Sequence, residues 1–119
     1  MLSLPPAVRV FLATQPADMR RAFDGLAALT RDVIRRDPLS GHLFVFRSRI
    51  GDRVKVLYWD RSGFCLWYKR LEKGVFHFPT SESGSVEIES ADLALLLEGI
   101  DLSGATRRER FTPRSVPSS

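Results

Sequence analysis

Cysteine is nearly missing from this chain: Cys65 stands alone among 119 residues. One thiol excludes an internal disulfide and any zinc site built on several cysteines, and it suits a reducing compartment such as the cytoplasm. Long apolar runs are missing as well, so no segment is expected to cross a membrane. The opening MLSLPPAVRV has no positive run ahead of an apolar stretch, and no secretory leader is expected. There is no Gly-rich phosphate loop, no metal-binding helix motif and no nucleophile elbow. Repeats at solenoid periods are absent. Lysine is scarce, with only Lys55, Lys69 and Lys73.

Arginine supplies the rest of the base. Eighteen Lys+Arg against fourteen Asp+Glu give a net charge of +4, and the pI is near 9.8. Arginine's planar fork pairs bidentately with phosphate, which favours an anionic partner. High genomic GC content enriches arginine for unrelated reasons, so composition alone does not identify that partner. The length suits one domain with a modest core, expected over 1–102. Residues 103–119, with RRER, prolines and serines, read as a disordered basic tail.

VRVFLA (8–13) reads as a strand, and Met19, Phe23, Leu26, Ala27, Thr30, Val33 and Ile34 recur at helical spacing. Asp18 is a candidate cap for that helix, and Asp-Pro-Leu-Ser-Gly (37–41) ends it. Strands are expected over 42–48, 52–60, 64–71 and 75–78, then a short one over 86–89. Ser90 is placed to cap an apolar helix that Gly99 closes. The predicted fold is α+β: an antiparallel meander sheet of four to six strands, one long helix on its core face and a short C-terminal helix.

Arg49-Ile50-Gly51, Arg61-Ser62-Gly63 and Glu72-Lys73-Gly74 each read as a three-residue turn closed by a left-handed glycine. In that register Phe46 faces Val54, Phe44 faces Val56, Val56 faces Tyr68 and Tyr68 faces Phe78. One face then collects Phe44, Phe46, Val54, Val56, Tyr58, Phe64, Leu66, Tyr68, Phe76 and Phe78 as the core. The other carries a row of Val45, Lys55, Lys69 and His77, with Arg47 opposite Arg53 and with Leu43, Leu57, Trp67 and Trp59 alongside. Like charges directly opposite one another repel, so a bound polyanion would relieve the arrangement. Arg47, Arg53, Lys55, Trp67, Lys69 and His77 are therefore the candidate nucleic-acid contacts, with rings to stack and cations to meet phosphate. The competing reading has the C-terminal helix cover the tryptophans while the lysines snorkel at its edge.

Catalytic constellations are not evident. Cys65 and His77 would stand ~14 Å or more apart by strand geometry, beyond hydrogen-bond reach. His42, beside Gly41, reads as a partner for a loop carbonyl, and Asp60 as a turn residue bonded to its own backbone. Asp18, Asp24, Asp32, Asp52 and Asp60 do not group, so neither a metal site nor a cofactor is expected.

PADMRRAFDGLAAL (16–29), DPLSGHLFVFRSRIGDRVKVLYWDRSGFCLWYKRLEKGVFHFP (37–79) and LALLLEGIDL (93–102) together resemble one family. It is that of the small TnpB accessory proteins encoded beside the transposase in the bacterial insertion-sequence family sixty-six. The likeness runs from about Pro5 to Leu102, and SGHLFVF, GDRVKVLYWD and WYKRLEKG are specific in combination. It implies a non-catalytic protein that assists transposition while a separate transposase does the strand chemistry. Transposon-end DNA, the cognate transposase and the element's other accessory protein are the partners it implies. Family members often carry a more basic turn where this chain has Ile50, which removes a possible phosphate contact. An alternative role is a protein–protein adaptor that docks on the transposase through Trp59, Trp67 and Leu57 and never touches DNA.

Overall fold

VFLA, LFVFR and VKVLYW are near-continuous apolar runs rather than strict alternations, as strands covered on both faces require. The computed structural model describes residues 7–101, and in it these runs form the middle of a sheet. Its strands are β1 (Val10–Ala13), β2 (Leu43–Arg47), β3 (Arg53–Asp60), β4 (Gly63–Arg70) and β5 (Ser85–Ile88). Their order is β4-β3-β2-β1-β5. The tail expected over 103–119 lies outside the described residues.

The sheet is mixed, not an antiparallel meander. β1 runs parallel to β2, with Val10 beside Leu43, while β5 pairs antiparallel on β1's other side. Parallel neighbours need a crossover connection, and the segment between β1 and β2 supplies it. That segment holds α1 (Phe23–Leu29), which continues as a π-helical turn over Thr30–Ile34. The helix is therefore short. Asp18 does not cap it: its carboxylate accepts from the Arg20 backbone N–H and guanidinium instead, at 2.9 and 2.7 Å. Arg35 ends the helical stretch in the left-handed conformation, φ 66°, before Asp37 is reached.

Residues 75–78 are not a strand. The Phe76 N–H donates to the Gly51 carbonyl at 2.7 Å, which ties this segment to a turn rather than to β4. The second helix, α2 (Ser90–Leu97), begins one residue earlier than expected, with Glu89 at its cap position. Its end is as expected: Gly99 has φ 85° and donates to Leu96 O, while the Ile100 N–H returns to Leu95 O.

Both hairpin registers differ by one residue from the expected ones. Val45 pairs with Val56 and Phe46 with Lys55 across β2 and β3. The cause is the buried Ser48 hydroxyl, which accepts the N–H groups of Gly51 and Arg53 at 3.1 Å each. Ser48 N–H meanwhile bonds Arg53 O, so the loop has four residues rather than three. At the next hairpin Asp60 pairs with Gly63, and Arg61 rather than Gly63 takes the left-handed conformation, φ 52°. The two slips cancel between β2 and β4, leaving β3 inverted against both its neighbours' expected faces.

The result is a sheet with two cores. Val10, Leu12, Val45, Val54 and Val56 pack with Phe76 and the α2 leucines Leu93, Leu96 and Leu97. Phe11, Phe44, Phe46 and Leu57 face the other way, under Leu26, Ala27 and Ile34. The loop before β5 lies hard against the π-helical turn. A Cβ built on Gly84 would come within 2.4 Å of the Val33 carbonyl oxygen, a backbone atom that has no rotamer to escape through. Gly84→Ala is expected to destabilise the fold by ~2 kcal/mol, read as a lowered midpoint in urea. An unchanged midpoint would mean that the two segments do not touch.

Candidate nucleic-acid interface

The inversion of β3 separates the expected basic row. Lys55 pairs with Tyr68 and Val54 with Lys69, so the two lysines lie on opposite faces of the sheet. Neither is free. Lys55, only 6% exposed, donates to the carbonyls of Met19 and Arg21, each at 2.7 Å, and its ammonium sits 4.8 Å from the Tyr68 ring centre. Lys69 donates to the Leu97 carbonyl at 2.9 Å, at the end of α2. Arg47 faces Val54, not Arg53, and its guanidinium reaches the Phe76 carbonyl at 3.3 Å. His77 is exposed in the irregular segment after β4.

The proposed docking residues are dispersed too. Leu57 has no exposed surface. Trp67, half-buried, packs against the core on the α2 side, whereas the covering reading placed both tryptophans there. Trp59 is on the opposite face, where its ring meets Phe64 edge-on at 5.1 Å. His42 accepts the Arg9 N–H on Nδ1 at 3.0 Å, so its partner is a donor rather than a carbonyl. Partial burial, with Arg9 and Arg36 nearby, lowers its pKa and favours the neutral ring. Among the described residues, no three His, Cys, Asp or Glu side chains come together as a metal site. No helix there is long and apolar enough to cross a membrane.

What the structure does bring together is a different basic surface, centred on Arg53. Arg53 pairs directly with Arg70 across β3 and β4, on the face that carries Tyr68. Arg70 is offset by Glu72 at 3.2 Å. Arg53 lines two concavities at once. One, of about 470 Å³, is bordered by Asp18, Met19, Arg49, Ile50 and Asp52. The other, of about 370 Å³, is bordered by Tyr68, Arg70 and Glu72. Lys55 lies against the Tyr68 ring, and the carbonyls it holds belong to the loop that carries Arg20 and Arg21. Arg20 binds Asp18 at 2.7 Å, and those hydrogen bonds hold the Asp18 pKa down at about 2.

Tyr68 and Arg70 were not singled out as contacts by sequence. The expected register put Tyr68 in the core, whereas it is 51% exposed. The Ser48 hydroxyl three residues before Gly51, a pattern that bonds its own turn, signals instead the β3 inversion that brings Arg53 to their face.

The family model for IS66 Orf2-like proteins matches residues 8–107, from just before β1 through α2 and beyond. The chain belongs to the IS66 Orf2-like family. Two relatives come from Sinorhizobium fredii (strain NBRC 101917 / NGR234). The uncharacterized protein y4hO is 46% identical over 101 residues, which cover 85% of this chain and 88% of that one. The uncharacterized protein y4jC is 37% identical over 116 residues, covering 98% and 99%. No solved structure matches the chain. Family membership makes this an insertion-sequence-associated protein, and the Arg53 surface is built within the region that the family shares.

Proposed function

We propose that this IS66 Orf2-like protein assists transposition by binding DNA directly, without itself catalysing strand chemistry. The observation that carries the reading is the Arg53–Arg70 pair. Two arginines are paired directly opposite one another by the β3–β4 register, where like charges repel. Glu72 offsets only one of them. A phosphate between them would turn that repulsion into two charge-assisted contacts, and Arg49 lines the adjoining concavity with Arg53. Terminal DNA of the element is the natural ligand in this reading, and the cognate transposase acts on the DNA so held.

Docking on the transposase through Trp59, Trp67 and Leu57 has less in its favour. Those side chains lie on two faces of the sheet, and Leu57 is inaccessible.

Changing Arg53 and Arg70 together to glutamine is expected to weaken duplex binding. It should also flatten the log–log salt dependence by about 0.9 for each phosphate that the protein no longer neutralises. The melting temperature should stay level or rise, since a repulsion is removed. Unchanged affinity and slope would move the interface elsewhere. If the wild-type protein bound no DNA at all while still capturing the transposase, the adaptor reading would replace this one.

A further inference from the structure

We propose that Tyr68 is a stacking seat for one unpaired DNA base, and that Arg53 takes the adjoining phosphate. The surface would then favour single-stranded over duplex DNA. This rests on the DNA-binding reading above and specifies what that site takes.

A tyrosine on a sheet face beneath a helix would ordinarily be covered, but Tyr68 is 51% exposed. One side of its ring is already engaged by the Lys55 ammonium at 4.8 Å, which Met19 and Arg21 carbonyls hold in place. The ring is thereby fixed from within and open from without. A rigid, half-exposed aromatic is what base stacking needs, and stacking is tolerant of sequence because every base has a π-face.

Arg53 and Arg70 lie one same-face step along their strands, about 7 Å away. With Glu72 they enclose about 370 Å³ beside the ring. The Glu72 carboxylate already pairs with Arg70 and weakens its share of a phosphate held between the two arginines, so Arg53 makes the main contact. Phosphate is directed to Arg53 and the base to Tyr68. A duplex cannot use the seat, because its bases already stack on one another and present only their edges.

The test compares binding of a fluorescein-labelled single-stranded oligothymidylate with that of a mixed-sequence duplex of equal charge. Tyr68→Leu, which keeps an apolar cover over Lys55, is expected to weaken single-strand binding about 5- to 150-fold. Duplex affinity should change by less than about twofold, and Tyr68→Phe should behave as wild type. Arg53→Gln should weaken both. Equal losses on single strand and duplex in Tyr68→Leu, with the fold intact by circular dichroism, would make the ring structural and overturn the stacking seat. So would no loss on either; the DNA-binding reading would survive both results. Absence of binding to both probes by the wild-type protein would overturn the two proposals together.

Discussion

Val56→Asp is expected to unfold the protein, and Leu57→Asp is expected to unfold it as completely. The two residues are neighbours in β3 and point to opposite faces, yet neither has any exposed surface. Val56 lies against the α2 leucines and Leu57 against α1. An isolated carboxylate in either place has no partner, so the cost is several kcal/mol, of order 3 or more. Set against a total stability of about 5–15 kcal/mol, each change takes away much of what holds the fold. Thermal melts followed by circular dichroism would show it. A sheet with one wet face would tolerate aspartate at one of the two positions, so a normal melt for Leu57→Asp would refute the second core.

The next largest effect is expected at Lys55. Buried at 6% exposure with two carbonyl acceptors at 2.7 Å, it ties the Met19–Arg21 loop to the middle of the sheet. Hydrogen bonds to charged groups contribute roughly 1.5–3 kcal/mol, and removing the ammonium takes the donor from two part-buried carbonyls at once. Lys55→Met, which keeps the stem but removes the donor, should therefore cost ~3 kcal/mol in urea unfolding. Lys69→Met should cost ~1 kcal/mol, because Lys69 has one carbonyl partner, at 2.9 Å, and a side chain 32% exposed. Equal effects at the two lysines would mean that they share an environment, as a common row would require. Because the tied loop carries Arg20 and Arg21, Lys55→Met should also weaken DNA binding without the ammonium ever meeting phosphate.

The helix C-terminus at Gly99 and the family were legible from residues alone, as were the places of the five strands along the chain. Gly99 was readable because a left-handed C-terminal residue is a local demand that glycine meets wherever it falls. The family was readable because SGHLFVF, GDRVKVLYWD and WYKRLEKG are strings, and strings survive without coordinates. Apolar runs such as LFVFR and VLYW marked strands for the same reason.

Which face each β3 side chain takes was settled only by tertiary structure. Side chains alternate with a period of two, so one extra turn residue inverts a strand, and pattern resists the inversion only when one face is wet. Here both faces are covered: Val54 and Val56 on one, Leu57 on the other, are equally buried, so the apolar pattern does not choose between registers. The deciding atom was the Ser48 hydroxyl, which takes the Gly51 and Arg53 N–H groups and lengthens the loop. Through that loop it sends Lys55 inward to Met19 and Arg21, while the two-residue turn between β3 and β4, with Arg61 left-handed, sets Arg53 against Arg70. The composition of the basic surface was thus written in the chain, but its membership followed from the lengths of two turns, one of them fixed by a hydroxyl competing for backbone donors in the folded state.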